Sequence, residues 1–407
     1  MRTRVPFIEA FKKQQDETSK SPPVPAEKVE RDLAPKTMSD SYTKIILPLA
    51  RDPWLLDSYI NSSGHIRLGT IFMDLDALAG VVSYKHTGDA GVMTVTAAVD
   101  RITLAHPLNE ICDLELSGKV TFATGRSSME VSLQVAKAPE EGKEVQDSDI
   151  LMTCAFTMVS LDPATKKPVA IAPLKATSPA EERLFAQGQA NYDLKKSLAS
   201  QALRKQTPND EESDLIHALW LAQLDYRDPS TSARKPSDAV YMSSTTIHSV
   251  QIMQPQFRNR HNFMIFGGFL LKSTFELAFT CASATSHTRP TFIALDPSTF
   301  LHPVPVGSVL YLTATVAYSD SPLVPAGEAK ASPKGSSRIQ IRVDSKVRDI
   351  EHGVTKPTGT FSYTFEVKKE IKVIPETYAQ YMLFLDARRK YQLSGGMVER
   401  KKGGVME

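Results

Sequence analysis

Two stretches of the chain are apolar nearly all round at helical spacing, and each is followed by a train of alternating segments. GTIFMDLDALAGVVSY, from Gly69, is too long for one strand and predicts a buried helix. SYTKIILPLA ahead of it predicts a short strand. VMTVTAAVDRITL, DLELSGKVTFAT, SMEVSLQVAK and LMTCAFTMVSLD after it are β-branched or alternating runs divided by turn residues, the pattern of an antiparallel sheet. The same order then recurs. SSTTIHSVQIMQP is a strand, GGFLLKSTFELAFTCASA a long apolar helix, and PTFIAL, SVLYLTATVAYS, SSRIQIRVDSKV and TGTFSYTFEV are strands. Residues agree as well as elements: DRITLAHPL from Asp100 and DPSTFLHPV from Asp296 share Asp, Thr, His and Pro at four of nine positions. GRSSMEV and GSSRIQI each set Gly and Ser just before a strand.

These repeats describe an internal duplication of a unit of one helix and about five strands. One fully apolar helix per sheet is best buried by wrapping a curved antiparallel sheet around it, so the expected class is α+β, a tandem (double) hot-dog fold. The expected division is an extended leader at 1–38, Pro-rich and charged between residues 16 and 38, then hot-dog domains at 39–162 and 239–370. A helical linker fills 163–238 and a C-terminal extension 371–407. In the linker, SPAEERLFAQGQANYDLKK begins with Ser178 as cap, Pro179 at the first helical position and Glu181 three residues after the cap. DEESDLIHALWLAQLDY is a second helix.

Composition narrows the function classes. The chain has 407 residues, 41% of them hydrophobic, and 48 Lys plus Arg nearly cancel 46 Asp plus Glu, leaving no global field to gather nucleic acid or an anionic membrane. Three scattered cysteines suggest neither a disulfide framework nor a zinc site, and no apolar run is long enough for a membrane helix. Neither a nucleic-acid partner nor membrane insertion is expected. The opening MRTRVPFIEAFKKQQ has the basic balance of a mitochondrial presequence, and equally that of a solvated tail. There is no GxSxG elbow, phosphate loop, HExxH or Rossmann fingerprint.

What remains is the polar content of the apolar helices. Asp74 and Asp76 stand about 200° apart on their helix, and Asp76 is surrounded by Leu75, Leu78, Ala79 and Val82. An ionised carboxylate there is costly unless paired or used. The second helix opens Phe266-Gly267-Gly268 after RNRHN, and glycines at a helix start permit close approach to its unpaired N–H groups.

RNRHNFMIFGGFLLKSTFELAF resembles the Asn, Phe-Gly-Gly and central-helix motif of hot-dog acyl-CoA thioesterases, and LGTIFMDLDALAG, VDRITLAHPL, LSGKVTF, GRSSMEV and PVPVGSVL are similar to the mitochondrial double hot-dog type, acyl-coenzyme A thioesterase 9. The resemblance covers residues 39 to 390. It implies a soluble, mitochondrial matrix hydrolase of fatty acyl-CoA that associates into trimers of double hot-dogs, with coenzyme A part of the substrate and no metal or cofactor. A catalytically inactive acyl-CoA-binding sensor or assembly subunit is the alternative. It further implies a site pairing an Asn and helix-start amides from one half with an acid from the other half's helix: Asp76 as base or nucleophile with Asn259, Gly267 and Gly268. Aligning Gly69 with Gly268 puts Leu68 at the first glycine and Phe275 at the acidic position of the second copy. The mirror site is therefore expected to lack its Asn, first glycine and acid, and Glu276 to pair with Lys272 on its own helix. The interval from Asn259 to Gly267 is one residue longer than the family pattern, which leaves Asn262 and His261 as alternatives. Arg126, Arg258 and Arg260 are the candidates for the phosphates, and His106 and His302 are read as structural.

Overall fold

The computed structural model describes residues 6–10, 12–13, 31–88, 91–106, 110–200, 203, 205–260, 264–324 and 335–402. Each half supplies one long helix, α1 (Leu68–Thr87) and α4 (Gly267–Ser286). Between the halves lie α2 (Pro179–Ser200) and α3 (Asp210–Arg227), and α5 (Tyr378–Lys402) ends the described chain. Of the strands, β1 (Thr43–Leu47), β2 (Met93–Leu104), β3 (Leu114–Ala123), β4 (Ser128–Lys137) and β5 (Ile150–Leu161) belong to the first half. After β6 (Ala239–Tyr241), the second half has β7 (Ile247–Ile252), β8 (Thr291–Leu295), β9 (Ser298–Thr299), β10 (Val309–Ser319), β11 (Ser337–Arg348) and β12 (Thr355–Val367), followed by β13 (Lys372–Ile374).

The duplication is legible in the sheet itself. Its order is β1-β3-β4-β5-β2-β8-β12-β11-β10-β7, with β9 on β2, so the second half repeats the first in reverse and the two sheets join edge to edge through β2 and β8. Every pairing within this sheet is antiparallel. The shared sheet wraps both long helices, whose apolar faces are sealed: Phe72, Leu75 and Leu78 of α1 and Leu271, Ala278 and Cys281 of α4 are all buried. Phe72 meets Phe275 edge to face at 5.0 Å between ring centroids, a geometry the aromatic quadrupole favours. The double hot-dog expectation stands.

The intervening and terminal helices cover the outer faces. The start of α2 is capped as its sequence suggests, Glu181 N–H donating to Ser178 Oγ at 3.2 Å. This helix lies on the first half's sheet through Phe185 against Phe122, with centroids 4.9 Å apart. The C-terminal segment, read from sequence only as an extension, forms β13 parallel to β6 and then α5, whose Phe384 packs on Tyr318 of β10. Arg388 and Arg389 of α5 hold Glu211 and Glu212 at the start of α3.

The repeated DRITL and SSMEV motifs meet under α2. Asp100 on β2 and Glu130 on β4 are buried, and Lys195 of α2 donates to Asp100 at 2.6 Å while Asn191 reaches Glu130 at 3.3 Å. In the second half Asp296 and Gln340 occupy the matching motif positions and bond directly at 2.7 Å, a neutral amide replacing one acid. Burial raises the pKa of both Asp100 and Glu130, and Lys195 opposes it. Lys195→Ala should therefore cost on the order of 3 kcal/mol at neutral pH, because it strands buried carboxylates. A raised carboxyl is neutral in acid, so the loss should shrink as pH falls. Urea unfolding at pH 8 and pH 5 tests this, and an equal loss at both would contradict it.

Candidate active site

Asp76 sits on the face of α1 that meets the start of α4, and it is 4% exposed. One carboxylate oxygen accepts Thr96 Oγ1–H from β2 at 2.7 Å, and the other accepts the Gly268 N–H at 2.6 Å. Burial pushes its pKa up while these two hydrogen bonds oppose the rise. The result is a proton-accepting group held in one orientation and short of water. Asp74, on the opposite face, accepts the Tyr59 hydroxyl instead, as the 200° separation requires.

The two glycines have different reasons to be glycine. A Cβ on Gly268 would lie 2.8 Å from the Met73 carbonyl oxygen and 2.9 Å from its Cα, so the helices touch backbone to backbone there. A Cβ on Gly267 would lie 3.2 Å from the nearer Asp76 oxygen, so that glycine leaves the approach to the carboxylate open. Among the described residues no acceptor is paired with the Gly267 N–H. Of the two helix-start amides, the Gly268 N–H holds the acid.

Asn259 belongs to a hairpin that leads into α4. Phe266 N–H donates to Phe257 carbonyl at 3.0 Å and Asn259 N–H to Met264 carbonyl at 2.7 Å. The first half has the same device: Arg67 N–H donates to Tyr59 carbonyl at 2.6 Å and Asn61 N–H to His65 carbonyl at 2.8 Å. Asn61 and Asn259 thus hold the same place, two residues into their hairpins, and the second copy's extra residue falls in the turn after Asn259. The extra residue in the interval to Gly267 therefore lies between Asn259 and Met264. Asn262 and His261 lie outside the described residues.

The mirror site departs from expectation in two ways. It retains an asparagine, Asn61, whose side-chain oxygen accepts the Ser63 and His65 N–H groups of its own turn. It also retains an acid: Glu276 Oε1 would lie 3.2 Å from a Cβ on Gly69, and it pairs with Arg67 of the other half at 2.6 Å rather than with Lys272. An ion pair across the helix crossing outcompetes one along a single helix because the Arg67 fork places both Nε and Nη2 on the carboxylate. Leu68 at the glycine position and Phe275 at the acidic position are as expected.

Of the arginines, Arg260 stacks over Tyr84 of α1 at 4.3 Å and Arg258 lies 5.6 Å from the Phe7 centroid, both on the Asn259 hairpin. Arg126 is exposed at the β3–β4 turn, and no contact among the described residues joins it to that hairpin. His302 Nδ1 meets the Pro357 carbonyl at 2.8 Å. Thr96 went unrecognised in the sequence because a threonine in a β-branched run reads as an ordinary strand residue. Among the described residues no group of His, Cys, Asp or Glu is placed to hold a metal ion, and no helix is long and apolar enough to cross a membrane.

No family model matches the chain. It is 33% identical over 383 residues to the mitochondrial acyl-coenzyme A thioesterase 9 of Homo sapiens, covering 92% of this chain and 82% of that protein. To the chloroplastic acyl-coenzyme A thioesterase 2 of Humulus lupulus it is 32% identical over 357 residues, 85% of this chain and 77% of that one. Among solved structures, an apo-hexameric acyl-CoA thioesterase aligns at 26% identity and TM-score 0.34 over 41% of this chain and 98% of its own. A Staphylococcus aureus acyl-CoA hydrolase in complex with butyryl coenzyme A and coenzyme A aligns at 22% and 0.34, over 40% and 90%.

Proposed function

The chain belongs to the acyl-coenzyme A thioesterase family and is an acyl-CoA hydrolase, and from that premise we propose that it works through one composite site in which Asp76 of the first half acts at the helix start of the second. The buried Asp76 carboxylate carries the reading. A module that only bound acyl-CoA would have no use for an ionisable group whose burial costs stability.

The thioester carbonyl oxygen takes the Gly267 N–H and the Asn259 amide, two donors aimed at the charge that develops there. As general base, Asp76 removes a proton from water, the hydroxide adds to the carbonyl, and the tetrahedral intermediate expels the coenzyme A thiolate, which takes the proton back. As nucleophile, Asp76 attacks the carbonyl itself, expels the thiolate and leaves an anhydride that water cleaves. In either case Thr96 and Gly268 N–H aim the carboxylate. Arg258 and Arg260 receive the phosphates, with Arg126 the more distant candidate. The chemistry needs water and substrate, with no metal or redox group.

Thiol release from short, medium and long acyl-CoA tests the activity, and release no faster than a protein-free blank throughout would favour the binding-only alternative. Asn259→Ala should lower kcat about 10²- to 10³-fold, the usual cost of one oxyanion donor. Asn262→Ala should leave it nearly unchanged, and the opposite ranking would move the donor to Asn262. The thioesterase 9 relatives are named mitochondrial, which supports a mitochondrial location, and the matrix is the compartment proposed within it. The exposed edge strands β1 and β7, with Ile45, Val250 and Ile252 accessible, support self-association, which we take to be a trimer of double hot-dogs. A strictly monomeric mass in solution would contradict that assembly.

A further inference from the structure

Helix α1 carries more than the acid toward the second half. Tyr84 stands eight residues after Asp76, about 12 Å further along the helix axis, and is half-buried. Its ring lies against Arg260 of the Asn259 hairpin, with the guanidinium carbon 4.3 Å from the ring centroid. At the far end of the same side chain, the Tyr84 hydroxyl accepts the Thr94 N–H at 3.0 Å. Thr94 is on β2, two residues before the Thr96 that holds Asp76. The ring is therefore fixed by its own helix at one end and by β2 at the other, and turning away from Arg260 would break the bond to Thr94.

A stacked contact engages the flat face of a guanidinium, whereas its five N–H donors lie in the plane. One arginine can therefore stack on a ring and grip a phosphate at once, and the ring sets the plane in which the phosphate contact forms. Without the ring, the long side chain would have to give up rotamer freedom each time substrate bound. We propose that Tyr84 is a positioning residue for substrate, holding Arg260 in the orientation that receives the coenzyme A phosphates. The inference rests on the phosphate role given to Arg260 above. It deepens that role, because one helix then governs both ends of the substrate: Asp76 acts at the thioester, and Tyr84 orients the cation that anchors the other end. The thioester and the phosphates of one coenzyme A are separated by the pantetheine arm, so the groups that hold them have to be spaced along the site, as Asp76 and Tyr84 are along α1. Tyr84 touches no reacting atom, so its loss belongs in substrate binding and not in the chemical step.

The test is steady-state thiol release by the full chain from an acyl-CoA and from the matching S-acyl-pantetheine, which has the thioester and the arm without the phosphates. The parent should prefer acyl-CoA, expressed as the ratio of the two KM values. Tyr84→Leu and Tyr84→Met both remove the ring and should reduce that preference about three- to thirtyfold, the worth of one cation–π contact, with the change falling in KM rather than kcat. Tyr84→Phe keeps the ring and should restore most of the preference. Arg260→Gln should reduce it at least as far as Tyr84→Leu, and combining the two should add little, since the ring then has no guanidinium to hold. Both KM values rising together, or kcat falling with the preference intact, would make Tyr84 a packing residue and overturn the proposal. A preference lost in Arg260→Gln but kept without the ring would overturn the positioning role while leaving Arg260 as the phosphate ligand. A preference untouched by Arg260→Gln would refute the phosphate role itself, and the proposal with it, without bearing on Asp76.

Discussion

Asp76→Asn should lower kcat by about 10²- to 10⁴-fold, the usual contribution of a positioned base, while the fold gains stability. The Asn oxygen can still accept the Gly268 N–H, and its amide can donate to Thr96 Oγ1, whose hydroxyl is free to rotate, so shape and hydrogen bonding persist. What disappears is a charge in a site where burial raises the pKa. A carboxyl with a raised folded-state pKa destabilises the protein once pH rises through that value, and has no such effect below the unfolded pKa where both states are protonated. The variant should therefore unfold at a higher denaturant midpoint than the parent at neutral pH, with the gap closing in acid. For the parent, kcat/KM should fall as pH drops through the same raised pKa, since the protonated acid can neither take a proton nor attack. Loss of activity accompanied by loss of stability would mean that Asp76 is a structural partner of Gly268 and not a reacting group.

Gly268→Ala should damage both properties at once. Its methyl would meet backbone atoms of Met73 inside contact distance, and backbone at a helix crossing cannot step aside as a side chain can. Overpacking of this kind costs about 1 to 3 kcal/mol. Because Gly268 N–H holds Asp76, the separated helices also carry the acid away from its target, and a misplacement of about 1 Å is enough to cost on the order of 10² in rate. Gly267→Ala makes the contrast: its methyl faces the Asp76 oxygens at 3.2 and 3.3 Å, where slight adjustment suffices, so stability should change little while turnover falls steeply. Thermal midpoints and kcat for the two variants check this, and equal destabilisation by both would show that the site glycines serve packing alone.

Much of this was legible in the amino-acid order because the strongest signals are the crudest ones. A helix apolar all round has nowhere to go but inside a sheet, and a single acid in it at Asp76 stands out against that background. The complementary glycines of α4 followed from aligning the two copies. Other features depend on contacts that sequence separation hides. Arg67 reaches Glu276 across the crossing, whereas Lys272, one turn away on the same helix, was the visible partner. Asn259 looked out of step because a turn insertion and a register shift give the same spacing along the chain; only the paired N–H groups of Asn61 and Asn259 distinguish them. Thr96 is aimed at Asp76 on a β2 strand whose pairing slips between Thr96 and Ala98, and strand alternation gives no warning of a bulge. Asp100 and Glu130 sit at strand positions that would face solvent but for α2, which reaches them from later in the chain through Lys195.

The claim that one working site is shared between the halves, with the acid from the first and the helix start from the second, rests on telling Asp76 from Glu276. Both carboxylates lie against the start of the opposite helix, but one is buried against Gly268 and the other is tied to Arg67, in a pair whose side chains are 41% and 37% exposed. The direct measurement is kcat for Glu276→Gln and Asp76→Asn side by side on one acyl-CoA. Glu276→Gln should keep most of its turnover and lose only an exposed ion pair, worth about 0 to 1 kcal/mol of stability, while Asp76→Asn falls by orders of magnitude. Turnover abolished by Glu276→Gln and preserved in Asp76→Asn would contradict the assignment and move the reaction to the Gly69 side of the crossing.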